Sequence, residues 1–254
     1  MAEQQLSLYL DIKQDASISD FVGPGWMAMV DMVRQLHIGL LSQIYLYGDA
    51  DTGKTHLLSA ICESFRDSGK SVMYLSLKDL LTTDPMVLNA LESMEVIAID
   101  DIDSVEGYDY WQEAIFHLIN LSNEYGHTLI FTSRKPVGQL DFKLKDLVSR
   151  LAKSATFQLP SGANRQDREL ILQAVLKRRN WHFDPRIIEH LLAKGPERIG
   201  AMLDVLTCLQ PIFSNVRNIT KAKIAQAAQI IDEQTLLHEV KEFDFDEEES
   251  FLDF

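Results

Sequence analysis

The segment Gly48-Asp49-Ala50-Asp51-Thr52-Gly53-Lys54-Thr55 constrains this chain more than any other. It fits the spacing G-x-x-x-x-G-K-[ST], follows the apolar run Ile44–Tyr47 and opens a helical stretch near Lys54, so it predicts a strand, a phosphate loop and a helix in succession. Such a loop turns its backbone N–H groups toward one point, and the helix N-terminus adds a positive dipole there. Both favour an anionic phosphate. Lys54 would then reach the β- and γ-phosphates, and the Thr55 hydroxyl would meet Mg2+. The plainer alternative is a glycine-rich turn with an exposed lysine.

A second motif lies about 45 residues downstream. Val96-Ile97-Ala98-Ile99-Asp100-Asp101 is an apolar run ending in two carboxylates. A buried parallel strand would deliver Asp100 to the C-terminal edge of a sheet, where ligands bind in α/β folds. There Asp100 can hold Mg2+ through water, and Asp101 stands where a carboxylate could polarise an attacking water. Two loop acids capping the next helix is the alternative. Thr132-Ser133-Arg134 ends a further apolar run, where a polar side chain could orient water or simply make a turn before Lys135-Pro136.

Strand-like runs occur at Gln43–Tyr47, Ser71–Leu75, Val96–Ile99, Thr128–Thr132 and Ala155–Leu159, with helical stretches such as His56–Ser68 and Tyr110–Tyr125 between them. Apolar strands alternating with helices predict an α/β domain over 21–160 with a parallel five-stranded sheet covered on both faces. After Pro160 only helical patterns remain, at 163–179, from Asp184-Pro185 to Gly195, at 197–212, and from Thr220 to about 236. They predict a small all-helical lid over 161–236. Cys62, His56, Trp111 and Trp181 read as packing residues.

Charge narrows the function classes. Lys plus Arg number 24 and Asp plus Glu 38, a net of −14. So acidic a chain is a poor partner for a phosphate backbone, which needs clustered cations. Half of that charge, −7, lies in Glu239–Phe254, where eight acids face one lysine; self-repulsion predicts a disordered acidic tail over 237–254. Phe243, Phe245, Phe251 and Phe254 interrupt it, as in segments that bind basic, apolar pockets, although a solvated tail explains the composition too. Two cysteines, Cys62 and Cys208, exclude a disulfide scaffold and a Cys-based zinc site. No apolar run approaches the ~18 residues of a membrane helix, and no secretory signal is visible, so a cytoplasmic protein without membrane partners is expected.

The phosphate loop followed by His56-Leu57-Leu58, the Ile99-Asp100-Asp101-Ile102 segment, the Thr132-Ser133 strand end and Ser149-Arg150-Leu151 together resemble the AAA+ module of the bacterial replication initiator DnaA, over about residues 21–236. The chain also carries Gln5-Leu6-Ser7-Leu8-Tyr9-Leu10 in a 1–20 segment expected to be a mobile tail. That hexapeptide is similar to the motif by which many proteins bind the DNA polymerase sliding clamp, and this layout resembles the Hda family, regulatory inactivators of DnaA.

The resemblance implies residue roles. Gly48, Gly53, Lys54 and Thr55 would contact ADP or ATP, and Thr55 and Asp100 would hold Mg2+. Asp101 would be the second acid, and Ser133 or Thr132 a γ-phosphate sensor. Arg150 would be an arginine finger acting in trans on a neighbouring subunit's nucleotide. Arg198 would reach from the lid to nucleotide in its own subunit, and Phe21-Val22-Gly23 would line the adenine pocket. Gln5, Leu6, Ser7, Leu8 and Leu10 would enter the groove of the DNA polymerase III β clamp. The implied function is clamp-tethered stimulation of DnaA-bound ATP hydrolysis, which prevents over-initiation, with DNA reached only through the clamp. Homo-oligomerisation, a self-sufficient ATPase or helicase loader, and a nucleotide-stabilised clamp-binding scaffold are the alternatives. Where the family loop usually has Gly, this chain has Asp51; Asp tolerates positive φ, but its charge should weaken phosphate binding, that of a triphosphate most.

Overall fold

A computed structural model of the chain describes residues 16–162, 164–216 and 219–250. The clamp-type segment, Gln5 to Leu10, lies outside the described residues. The strands are β1 (Gln43–Tyr47), β2 (Val72–Ser76), β3 (Val96–Asp100), β4 (Thr128–Ser133) and β5 (Ala155–Gln158). The α-helices are α1 (Met27–His37), α2 (Lys54–Asp67), α3 (Leu77–Leu80), α4 (Asp109–Tyr125), α5 (Lys145–Leu151), α6 (Arg165–Arg178), α7 (Pro185–Lys194), α8 (Ile199–Phe213) and α9 (Lys221–Ser250), with short 3-10 turns between some of them.

The chain divides into two compact units. The first takes in the described residues 16–18, Asp31–Tyr47 and Thr55–Gln158. It holds one sheet of order β2-β3-β4-β1-β5, parallel throughout. Alternate residues of each strand face opposite sides. Tyr45, Ile97, Ile99, Leu129 and Phe131 join one cluster with Trp111, Ile115, Leu118 and Ile119 of α4. Their alternates Ile44, Leu46, Ala98 and Ile130 are fully buried as well. Both faces are therefore covered, and this is why the strands read as unbroken apolar runs rather than alternating ones. Helix α4 stops at Gly126, whose φ of 72° is the left-handed C-cap that glycine adopts without strain.

Cys62 sits in α2, fully buried, and burial pushes its thiol up from an ordinary 9.0 to about 12, whereas Cys208 is exposed. Native protein at pH 8 is therefore expected to release one fast equivalent in a thiol titration with a disulfide reagent, from Cys208. The second should appear only on unfolding; two fast equivalents would contradict the packing. The linkage has a definite sign. Above about 9 the folded thiol keeps a proton that the unfolded thiol gives up, so Cys62 opposes folding progressively as pH rises from about 9 toward 12.

The second unit takes in Ser19–Val30, Gly48–Lys54 and the chain from Leu159 onward. Helices α6 to α9 build it around Ile171, Val175, Ile187, Leu191, Met202, Leu206, Phe213 and Ile231, all buried. Three of the four starts have a local side-chain cap. The Asn164 side chain caps α6. Asp184 caps α7, with Pro185 in the first turn. Arg186, through its guanidinium first and its backbone N–H second, holds the half-buried Asp184 carboxyl down at about 2. The Thr220 hydroxyl accepts from Lys223 N–H at the start of α9. Residues 19–30 are pinned to the same unit by a buried Asp20 carboxylate that accepts both Nε and Nη2 of Arg178 at 2.7 Å.

Helix α9 differs from the sequence expectation. It continues through Ser250, across most of the segment expected to be a disordered acidic tail. A helix already nucleated adds each further residue without the nucleation cost, and Glu is a good helix former. No helix among the described residues is long and apolar enough to cross a membrane.

Candidate functional site

The strand order brings the C-terminal ends of β3 and β4 together and places β1 beside β4. Asp100 ends β3, and Thr132 is the penultimate residue of β4. In the first unit these strand ends form a hydroxyl–carboxylate cluster. Asp100 is 1% exposed. Its Oδ2 accepts the hydroxyls of Thr55 and Tyr74, each at 2.7 Å, and its Oδ1 accepts the hydroxyl of Thr132. A carboxylate offers about four lone-pair directions, so three are satisfied by neutral protein donors and one acceptor direction remains. Burial, reinforced by the negative charge of Asp100, pushes the Tyr74 phenol well up, so Tyr74 acts here as a donor.

Asp101 follows in the left-handed region, φ 54° and ψ 52°. Its N–H donates to Thr132 Oγ1 at 3.0 Å, so one hydroxyl ties both acids. Non-glycine residues in this region cluster at functional sites because surrounding contacts must enforce them. Ser133 is directed elsewhere: its Oγ accepts from Lys135 N–H at 3.0 Å. Of the two sensor candidates, Thr132 is the one that touches the acids. The buried Asp103 carboxylate braces the strand end by accepting the backbone N–H and the guanidinium of Arg134, each at 3.2 Å.

In the second unit the phosphate loop is folded on itself and on α8. Lys54 is only 6% exposed, and its ammonium donates to the carbonyls of Gly48 and Asp49 at 2.6 Å each. The Thr52 hydroxyl donates to Asp49 O at 2.9 Å. Gly53 has φ +94°, a conformation a side chain would strain, and Asp51 has φ 56°. Arg198 Nη1 donates to Ala50 O at 2.6 Å. Two residues on, Gly200 N–H donates to Asp51 O at 2.8 Å. From α9, His238 Nδ1 lies 3.2 Å from Asp51 Oδ2.

The remaining candidates make contacts of their own. Val22 is half-buried, in the stretch between Phe21 and Trp26, whose ring centroids are 4.8 Å apart. Arg150, in the last turn of α5, lays its guanidinium 5.9 Å from the ring centroid of Phe116. His56 and Trp111 are buried as expected of packing residues, whereas Trp181 is half-buried under the Arg179 guanidinium.

Sequence reasoning missed Tyr74, Gly200 and His238. Tyr74 looks like any aromatic in a strand, and His238 like a surface histidine. Gly200 carried a usable signal, being a glycine in the first turn of a helix that needs none. A Cβ there would come within 2.7 Å of the Asp51 carbonyl oxygen, a backbone atom that cannot swing aside. Gly200→Ala should therefore lower the melting temperature although Ala is the better helix former. The clash costs about 1–3 kcal/mol against a propensity gain of about 1 kcal/mol, and each net kcal/mol is worth roughly 2–4 °C at this size. A thermal melt rising above wild type would refute the close approach.

Residues 37–157 match the bacterial DnaA ATPase domain. An uncharacterized protein of Haemophilus influenzae is 30% identical over 220 residues, spanning 85% of this chain and 95% of that protein. Domain III of the replication initiation protein DnaA from Thermotoga maritima superposes with a TM-score of 0.70 at 20% identity, over 87% of this chain and 97% of that one. AMPPCP-bound DnaA from Aquifex aeolicus gives a TM-score of 0.65 at 23% identity, over 78% of this chain and 66% of that one. The chain thus spans slightly less than two thirds of that initiator.

Proposed function

We propose that the chain, whose residues 37–157 match the bacterial DnaA ATPase domain, is a DnaA-like AAA+ protein and a nucleotide-binding regulator of replication initiation that docks on the DNA polymerase III β clamp and stimulates hydrolysis of DnaA-bound ATP. The observation that carries the nucleotide part is the Thr55–Asp100–Thr132 hydroxyl–carboxylate cluster at the ends of β3 and β4. The adenine-nucleotide complex of the Aquifex aeolicus relative supports the ligand class. The Thr55 hydroxyl and the one acceptor direction left on Asp100 are hard oxygen donors of the kind Mg2+ takes, directly and through water. Mg2+ there would neutralise charge on the nucleotide phosphates. Lys54 and the loop N–H groups bind the phosphates, Thr132 orients both acids, Asp101 is the carboxylate that would polarise an attacking water, and Arg198 couples the loop to α8. ADP with Mg2+ is the resident ligand in this reading, since Asp51 disfavours the extra charge of a triphosphate.

The regulatory part is supported by Arg150 and by the Gln5–Leu10 hexapeptide. Arg150 is half-buried in the last turn of a short helix, and its guanidinium is in this reading the group offered to a neighbour's nucleotide. A peptide with one polar and three leucine anchors suits an apolar groove. With a net charge of −14 the chain reaches DNA through the clamp rather than by phosphate contacts. Tethering there raises its effective concentration near DnaA. The protein is cytoplasmic in this reading and nucleoid-associated through the clamp.

The test is ATP hydrolysis by purified DnaA on clamp-loaded DNA, with and without this chain, beside this chain alone. Stimulation that requires the clamp supports the proposal. Turnover by this chain alone without stimulation replaces it with a self-sufficient ATPase or helicase loader, and neither activity replaces it with a clamp-binding scaffold.

A further inference from the structure

We infer that His238 is a positioning residue for the phosphate loop, through which helix α9 sets the affinity for a nucleoside diphosphate. The inference rests on the nucleotide-binding reading above. Asp51, like Asp49, puts a carboxylate inside a loop that otherwise favours an anion through two left-handed residues, a buried lysine and N–H groups at a helix start. Left alone, that carboxylate repels phosphate. It is held instead by an element far away in the chain. His238 Nδ1 lies 3.2 Å from Asp51 Oδ2, with the two side chains 17% and 36% exposed.

A carboxylate only accepts, so Nδ1 carries the proton in this contact whichever charge state the ring has. The bond takes up one oxygen of Asp51 and draws its charge toward α9. The backbone of the same stretch is tied as well, Asp51 O to Gly200 N–H at 2.8 Å and Ala50 O to Arg198 at 2.6 Å. Residues 50 and 51 are thus held by α8 through the main chain and by α9 through the Asp51 carboxylate, which works against the ligand.

The experiment is titration calorimetry of the full chain with ADP and Mg2+ for wild type, His238→Ala, His238→Gln, Asp51→Asn and Asp51→Asn/His238→Ala. A partly exposed pair of this kind predicts a three- to fivefold weakening for His238→Ala, by about the energy of a surface ion pair. Asp51→Asn keeps the tolerance for positive φ and should bind at least as tightly as wild type. In that background His238→Ala should change affinity by less than about twofold, because the charge it offsets is gone. His238→Gln, which restores a neutral donor, should recover part of the loss and shows that the effect is not unfolding of α9. Equal losses in both backgrounds, no loss in wild type, or tighter binding by His238→Ala would each overturn the inference while leaving the nucleotide reading intact. Absence of ADP and ATP binding by the wild-type chain would overturn both.

Discussion

Arg150→Ala is expected to cut the stimulation of DnaA-bound ATP hydrolysis by about three orders of magnitude, the lower range for loss of an arginine finger. Clamp binding and nucleotide binding by this chain should stay at wild-type levels. The local structure makes the variant clean. The buried residues of α5 are Leu147 and Leu151, which the substitution leaves in place. What it removes is a guanidinium over the Phe116 ring, a contact worth about 0.5–1 kcal/mol at a partly exposed site. A folded protein that has lost only a charge is therefore what the assay would report on. Arg150→Lys should rescue poorly, because an ammonium does not reproduce the planar fork that spans two phosphate oxygens. The measurement is phosphate release from ATP-loaded DnaA on clamp-loaded DNA with each variant added. Wild-type stimulation by the alanine variant would remove Arg150 from this role. Loss of stimulation together with loss of clamp binding would point to misfolding instead. By contrast, Leu6→Ala/Leu8→Ala should lose both clamp binding and stimulation.

The second large effect is on the ligand itself. Lys54→Met keeps the length of the side chain and deletes its charge. Affinity for adenine nucleotide should fall by about two orders of magnitude, since each hydrogen bond from a charged donor is worth about 1.5–3 kcal/mol. The ammonium is already nearly enclosed, held by two loop carbonyls at 2.6 Å, so its position is set before any phosphate arrives. The variant leaves those carbonyls without that donor, a local cost borne by the loop rather than by the apolar cluster under β1, β3 and β4. Calorimetric titration with ADP reads the affinity, and the far-ultraviolet dichroism spectrum should remain that of wild type. Unchanged affinity would show that the loop is an ordinary turn.

The chemistry of the candidate site was legible early because its main signals are local. Residues 48–55 specify a phosphate loop by their own spacing, and an apolar run ending in two acids specifies a buried strand that presents them at its end. The limits of β1 are as the sequence reading places them, Gln43–Tyr47. The short helices α3 and α5 were not foreseen, since four and seven residues carry too little periodicity to stand out. Nor was the length of α9. Charge density argued for disorder there, while helix propagation from Lys221 carries the chain on to Ser250.

By itself, the sequence determined which atoms are available: a lysine and a hydroxyl at a helix start, paired acids at a strand end, and a carboxylate where a phosphate loop least needs one. Tertiary structure alone decided how they are held. Tyr74 meets Asp100 across 26 positions, Arg198 meets Ala50 across 148, and His238 meets Asp51 across 187. Motif spacing reports only what neighbouring residues impose on one another. These pairs exist because parallel strands align their ends and helices α8 and α9 fold back on the loop, and no local pattern records which distant residue will arrive there.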